Sequence, residues 1–327
     1  MLVEYGRFEM VDLPEPTIEP DEVLIRVRAC GICGSDVHGF DGSTGRRIPP
    51  IVMGHEAAGD IVGVGSEAAG WKIGDRVTFD STIYCGQCPF CLRGEVNLCD
   101  NRRVLGVSCA EYRRQGAFAD LVAVPARVLC RLPQSIEYDR AAMVEPVSVA
   151  VHGVKRAQVG KGDRVAVIGA GMIGLLVVQV VKNAGAAEIV AVDIDPQKRE
   201  MALSLGADTA CESSDGLELD AAIEAVGISE TVDMAVRSVR KGGRVALVGN
   251  LSPNVSLPLQ VLVTREISVF GCCASQGDYD ESLELIASGK VRVDSMISKR
   301  IPLEDAAEYF DRLHGKQPGL MKVMVCP

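Results

Sequence analysis

The chain has 327 residues, 47% hydrophobic and 24% charged, with a net charge of -10 and a sequence pI of about 5.1. That composition belongs to a folded protein long enough for two cores, and the acidic balance without a basic stripe excludes a phosphate-backbone partner. The start Met1-Leu2-Val3-Glu4-Tyr5 lacks the basic and apolar regions of an export signal, and no apolar run nears the ~18 residues that span a bilayer, so a cytoplasmic protein is expected.

In chain order, Glu22-Val-Leu-Ile-Arg-Val27 reads as a strand after Pro20. Residues 52–64, with Gly54, Gly59 and Gly63, and the segment Arg76-Val-Thr-Phe79 predict further short strands and tight turns. No helix of ordinary length is predicted before residue 140, which makes the N-terminal part a β-rich domain. Cys33, the neighbours His55 and Glu56, and Glu145 offer a thiolate, an imidazole and carboxylates. Those are the ligand types of a catalytic zinc, which keeps one coordination position open.

Cys85, Cys88, Cys91 and Cys99 follow the spacing C-x2-C-x2-C-x7-C, suited to an all-cysteine shell around a second zinc. A saturated shell has no room for substrate, so this site is read as structural. The chain holds twelve cysteines, and in a protein of this size without an export signal metal or redox chemistry is the better reading than disulfides.

After about residue 148 strands alternate with helices, as in a parallel sheet covered on both faces. The apolar strand 164–168 runs into Gly169-Ala-Gly171-Met172-Ile173-Gly174 and a helical stretch, Leu175 to Ala184. Strand 188–192 then closes on Asp193. This is the dinucleotide pattern: Gly169 for the turn, Gly171 for approach of the pyrophosphate, Gly174 for helix–strand packing, and helix-start N–H groups at Met172 and Ile173. Asp193 is placed to accept from the ribose hydroxyls and so favours NAD over NADP, although Arg199 lies close enough in sequence to reach a 2′-phosphate. Further strands are predicted at 219–224, 244–248 and 267–270, with helices at 196–205, 229–240 and 258–265. Helices at Tyr279–Ala287 and Leu303–Leu313 and a last strand, Lys322–Val325, complete the reading. That strand is expected to return to the N-terminal domain.

The segments GICGSDVH, MGHE, CGQCPFCLRGEVNLC, EPVSVAVHGV, VIGAGMIG, KRIPLEDAAEYF and KVMV together resemble the zinc-containing medium-chain alcohol dehydrogenase family over essentially the whole chain. Glu56 after the histidine, and Glu145, look like its sorbitol (polyol) and threonine dehydrogenase branch. The resemblance implies an α/β protein with a GroES-like catalytic domain over residues 1–147, including the structural zinc lobe at about 85–99. It implies a Rossmann NAD-binding domain over 148–287, a return to the catalytic domain over 288–327, and an active site in the cleft between the domains. It assigns Cys33, His55 and either Glu56 or Glu145 to the catalytic zinc. Ser35 becomes the acceptor of the substrate hydroxyl proton, and His38 the group that passes it on through the cofactor ribose.

The implied reaction is oxidation of a secondary alcohol, a polyol or sugar-derived alcohol, to a ketone with hydride transfer to NAD. Threonine-3-dehydrogenase-like oxidation of an amino alcohol is the alternative, and a catalytically silent nucleotide-binding protein a more distant one. Gly39 departs from the family, whose polyol enzymes often carry an aromatic residue after the relay histidine. Arg300 matches an arginine near the substrate, or pairs with Glu304. His152 is expected to pack or hydrogen-bond at the domain junction, and His314 to lie in an exposed loop. Relatives suggest a homodimer or homotetramer, with 267–270 as a candidate edge strand.

Overall fold

Glu22–Gly31 is buried at nearly every position because it has sheet partners on both sides. The computed structural model describes residues 1–109, 112–214 and 216–327. The predicted strand ends at Val27, but the observed one continues through Ala29 and Cys30, whose small buried side chains keep it inside the core. Its seven-stranded sheet runs in the order Ile297–Ile301, Lys322–Val325, Glu22–Gly31, Glu56–Val64, Arg76–Phe79 and Leu129–Arg131, with Leu121–Pro125 also paired to Glu22–Gly31. Val23, Ile25, Val27, Ile61, Val77, Phe79 and Val124 share one core, to which the C-terminal strand adds Val323 and Val325. The helices before residue 143 are short, at Gly34–Gly39, Pro89–Leu92 and Tyr138–Ala142.

The chain divides into two units: Met1–Glu145 with Tyr279–Ala287 and Val293–Pro327, and Pro146–Asp278 with Ser288–Arg292. The sequence-based boundaries differ in three places, the first only by Pro146 and Val147, which fall in the second unit. Helix Tyr279–Ala287 belongs to the first unit, where the backbone of Ser81 and the charges of Asp80 and Glu145 surround the buried Tyr279 hydroxyl. Ser288–Arg292 belongs to the second, because Gln179 and Asn183 bond the backbone of Arg292 and Lys290.

The second unit carries six parallel strands in the order Thr209–Cys211, Glu188–Val192, Arg164–Ile168, Leu219–Glu224, Val239–Leu247 and Ser268–Gly271. Counted along the chain this is 3-2-1-4-5-6, the doubly wound order. Three consecutive apolar residues, Val165, Ala166 and Val167, are fully buried, as a parallel strand covered on both faces requires. Ser268–Gly271 lies at the sheet edge. Val239–Leu247 begins before its predicted start. The predicted helix Leu303–Leu313 resolves into a 3-10 turn, Leu303–Asp305, and an α-helix, Ala306–His314. Among the described residues no helix is long and apolar enough to cross a membrane.

Candidate active site

Strand register assembles the first cluster. Gly31 pairs with Glu56 across the antiparallel ladder, so the residues just past each strand end, Cys33 and His55, arrive side by side. Gly31 also clears the space: a Cβ there would lie 2.2 Å from Glu56 Oε2. Ligand atoms of Cys33, His55 and Glu56 lie within 4.8 Å of one another, with His55 and Glu56 buried and Cys33 half-buried. Cys33 caps helix Gly34–Gly39, and its Sγ accepts from the Ser35 N–H at 3.4 Å and the Ser35 hydroxyl at 3.2 Å.

Three residues that the sequence analysis did not single out surround this cluster. Asp36 is fully buried and takes two N–H groups of Arg47 on Oδ1, at 2.9 and 2.8 Å. Its Oδ2 faces His55 Nδ1 at 3.4 Å, and among the described residues neither atom has a closer hydrogen-bond partner. Burial alone would raise the Asp36 carboxyl, but the His55 and Arg47 charges outweigh it and hold the group well below the usual carboxylate range. Burial likewise lowers His55, yet Asp36 and Cys33 overcome it and push the imidazole well up. Surroundings that favour a proton there also favour a divalent cation. Lys322, brought in by the C-terminal strand, donates to Glu56 Oε2 at 2.5 Å and to the Ile32 carbonyl at 3.0 Å. One signal for Lys322 was in the sequence: it heads a strand in which every other residue is apolar.

The donor set suits a zinc site. It holds a thiolate, an imidazole and a carboxylate within coordinating reach, with a second carboxylate behind the imidazole as ligating histidines usually have. Glu145 lies outside the tight group. Desolvation, opposed by His55 and reinforced by the Glu56 charge, raises its carboxyl to about 7.

Ser35 and His38 both lie on the exposed side of helix Gly34–Gly39. Arg300 sits in strand Ile297–Ile301 and donates from Nε to Asp139 Oδ2 at 2.6 Å, so Asp139, not Glu304, is its partner; a strand cannot offer the helical spacing assumed for the latter. His152 is buried with Nδ1 3.3 Å from Asp278 Oδ2. His314 ends helix Ala306–His314 instead of lying in a loop, and faces Asp41 at 3.4 Å.

Cys85, Cys88, Cys91 and Cys99 converge with all four sulfurs within 4.8 Å of one another. Cys88 and Cys91 Sγ are 3.5 Å apart and Cys85 and Cys91 Sγ 4.0 Å, close to the ~3.8 Å edge of a tetrahedron with Zn–S bonds of about 2.3 Å. These distances are far too long for disulfides. The Gln87 N–H, opposed by desolvation and aided by the Cys88 N–H, brings the Cys85 thiol down to about 6, while desolvation pushes Cys99 up to about 12.

In the second unit, Gly169 has φ +93° and leads into helix Met172–Asn183. A Cβ on Gly174 would lie 1.7 Å from the Gly169 carbonyl, so only glycine packs there, whereas a Cβ on Gly171 would meet no protein atom and leaves that side for a ligand. Asp193 Oδ2 accepts from the Ala170 N–H at 2.8 Å, which ties the acid to the glycine loop. Arg199 turns elsewhere: it donates to the Asp193 and Ile194 carbonyls at 2.7 and 3.0 Å and meets Glu212 at 3.1 Å.

Comparison with known proteins places these features in context. Residues 19–134 match the alcohol dehydrogenase GroES-like domain, and residues 173–288 match the zinc-binding dehydrogenase domain. The chain is 34% identical to a sorbitol dehydrogenase of Bacillus subtilis, over 96% of this chain and 93% of that protein. It is 33% identical to a D-arabitol-phosphate dehydrogenase of Enterococcus avium, over 98% of this chain and 94% of the other. Among solved structures, a zinc-binding dehydrogenase from Sinorhizobium meliloti bound to NADP superposes with a TM-score of 0.90 at 33% identity, covering 100% of this chain and 98% of that one.

Proposed function

The chain belongs to the zinc-containing medium-chain alcohol dehydrogenase family, and on that premise we propose that it oxidises a secondary alcohol of a polyol or sugar derivative to the ketone, with NAD as hydride acceptor. The protein is a zinc alcohol/polyol dehydrogenase, an oxidoreductase acting on a small alcohol with a nicotinamide cofactor. The observation that carries alcohol oxidation at this site is the Cys33–His55–Glu56 cluster with the Ser35 hydroxyl against Cys33 Sγ.

Cys33 and His55 are the fixed zinc ligands in this reading. Glu56 is the third within reach, its charge shared with Lys322, and Glu145 is the acid available to exchange with it. Zinc held by Cys33, His55 and an acid would supply polarisation of the substrate oxygen, and NAD at the glycine loop would supply the hydride acceptor. Asp36 orients the His55 ring. Ser35 accepts the substrate hydroxyl proton, and His38, one turn along the same helix, delivers it to water. Cys85, Cys88, Cys91 and Cys99 hold the structural zinc, which stiffens the lobe. Gly169, Gly171, Met172, Ile173 and Gly174 receive the pyrophosphate. Asp193 accepts from the ribose and would repel a 2′-phosphate, while Arg199 is engaged by the Asp193 and Ile194 carbonyls and by Glu212. Arg300, held by Asp139, is assigned an architectural role.

The test is reduced-cofactor formation with NAD and NADP across polyols, sugar phosphates, threonine and simple alcohols, repeated after zinc chelation. Zinc-dependent NADH formation with one polyol class is expected. Faster turnover with NADP, as the Sinorhizobium neighbour's bound cofactor suggests for that protein, would overturn the reading of Asp193. Turnover of threonine alone would select amino-alcohol oxidation.

A further inference from the structure

Arg47 is an arginine buried to 3% exposure whose guanidinium is directed at Ser35 and Asp36. Nε and Nη2 donate to Asp36 Oδ1 at 2.9 and 2.8 Å, Nη1 donates to the Arg46 carbonyl at 3.2 Å, and Nη2 also reaches Ser35 Oγ at 3.2 Å. Gly39 makes this position accessible. A Cβ on residue 39 would lie 2.5 Å from Arg47 Cγ and 3.2 Å from its Cβ, so any side chain there displaces the arginine stem.

We propose that Arg47 is a positioning residue for proton removal, one that fixes the direction of the Ser35 hydroxyl. The inference rests on the dehydrogenase reading above. A guanidinium donates and never accepts. With Nη2 on one lone pair of Ser35 Oγ, the serine keeps one lone pair for the incoming proton and must hand its own hydrogen to a group other than Arg47. In the step, the substrate O–H bond breaks as Oγ takes that proton, and the Ser35 O–H bond breaks as its hydrogen moves to the next acceptor. Oγ ends with the one hydrogen it began with. The hydride and its electron pair go to the nicotinamide. The positive charge of Arg47 stabilises negative charge on Oγ and so favours departure of the Ser35 hydrogen ahead of uptake of the substrate proton. The same guanidinium holds Asp36, so one buried cation sets both the relay hydroxyl and the carboxylate behind His55.

The experiment compares wild type, Arg47→Lys, Gly39→Ala, Ser35→Ala and the Arg47→Lys/Ser35→Ala double variant as purified zinc proteins. Arg47→Lys keeps the charge and loses the fork. It is expected to lower kcat about tenfold or more, leave KM for alcohol and NAD within about twofold, and enlarge the solvent deuterium isotope effect. Zinc per chain should stay unchanged. Gly39→Ala, which alters no polar group, should shift kcat and the isotope effect in the same direction. The double variant should be no slower than Ser35→Ala, because the two residues act through one hydroxyl. Without substrate, the Arg47 side-chain N–H signals in NMR should exchange slowly and move on Ser35→Ala. An unchanged kcat and isotope effect in Arg47→Lys, losses that multiply in the double variant, or zinc loss matching activity loss would overturn the proposal. Wild-type protein without alcohol-dependent NADH formation would defeat the dehydrogenase reading, while the NMR signals would still report separately whether Arg47 engages Ser35.

Discussion

The two candidate metal-ligand clusters in the first unit are built in opposite ways. Cys85, Cys88, Cys91 and Cys99 lie in one continuous lobe, where a short helix, a 3-10 turn and local backbone bonds fold the sulfurs together. Cys33, His55 and Glu56 come from the ends of two long strands, and Lys322 comes from the far end of the chain. The first cluster needs only a loop. The second needs the sheet, so its reactivity is coupled to core packing in a way that the lobe's stability is not.

His55→Ala should separate the two most sharply. Turnover should fall by about a thousandfold or more, and zinc per chain from two equivalents to one by mass spectrometry, with the lobe still loaded. Cys88→Ser should do the reverse. The lobe zinc is lost and stability falls by several kcal/mol, a melting temperature lower by on the order of 10 °C, while activity per folded chain largely survives.

Stability against pH, compared with a Glu145 variant, probes the acid beside the strand-built site. The Glu145 carboxyl is raised from its ordinary 4.5 to about 7, mainly by desolvation, so between these values the folded protein binds more protons than the unfolded one. The stability this contributes is present below about pH 4.5 and is lost as pH rises through 7. Zinc-stripped wild type should therefore lose about 3 kcal/mol relative to Glu145→Gln between pH 4.5 and 8, measured by denaturant titration. Equal slopes for the two proteins would show that this acid is not buried as a neutral group.

Gly31→Ala tests the register itself. The new methyl would meet Glu56 Oε2 at 2.2 Å and Lys322 Cδ at 3.3 Å, and should cost about 1–3 kcal/mol and loosen the catalytic zinc. Its effect on the four-cysteine lobe should be nil, so a lobe zinc that also leaves would show that the clusters are not independent.

Much of this organisation was legible from residue pattern. Helices Pro196–Leu205 and Tyr279–Ala287 and strands Leu219–Glu224 and Lys322–Val325 have the predicted limits, because glycine, proline or charged residues mark their ends. Two misplaced strand limits share one cause. The strand from Glu22 runs on to Gly31, and the one ending at Leu247 starts at Val239, because partner strands outweigh local propensity. Tyr279–Ala287 was identified as a helix but assigned to the other unit, since nothing in its pattern says which core its apolar face meets.

By itself, the sequence determined the ligand types, the four-cysteine spacing, the glycine loop with its acid, and the change from β-rich to alternating βα organisation. Each depends on residues near one another in the chain, where steric and coordination rules act directly. Only the tertiary structure decided that Glu56 shares its charge with Lys322, that Asp36 backs His55 and is held by Arg47, and that Asp139 takes Arg300. These pairs join residues up to 266 positions apart, and charges that distant meet only where strand register and burial bring them together.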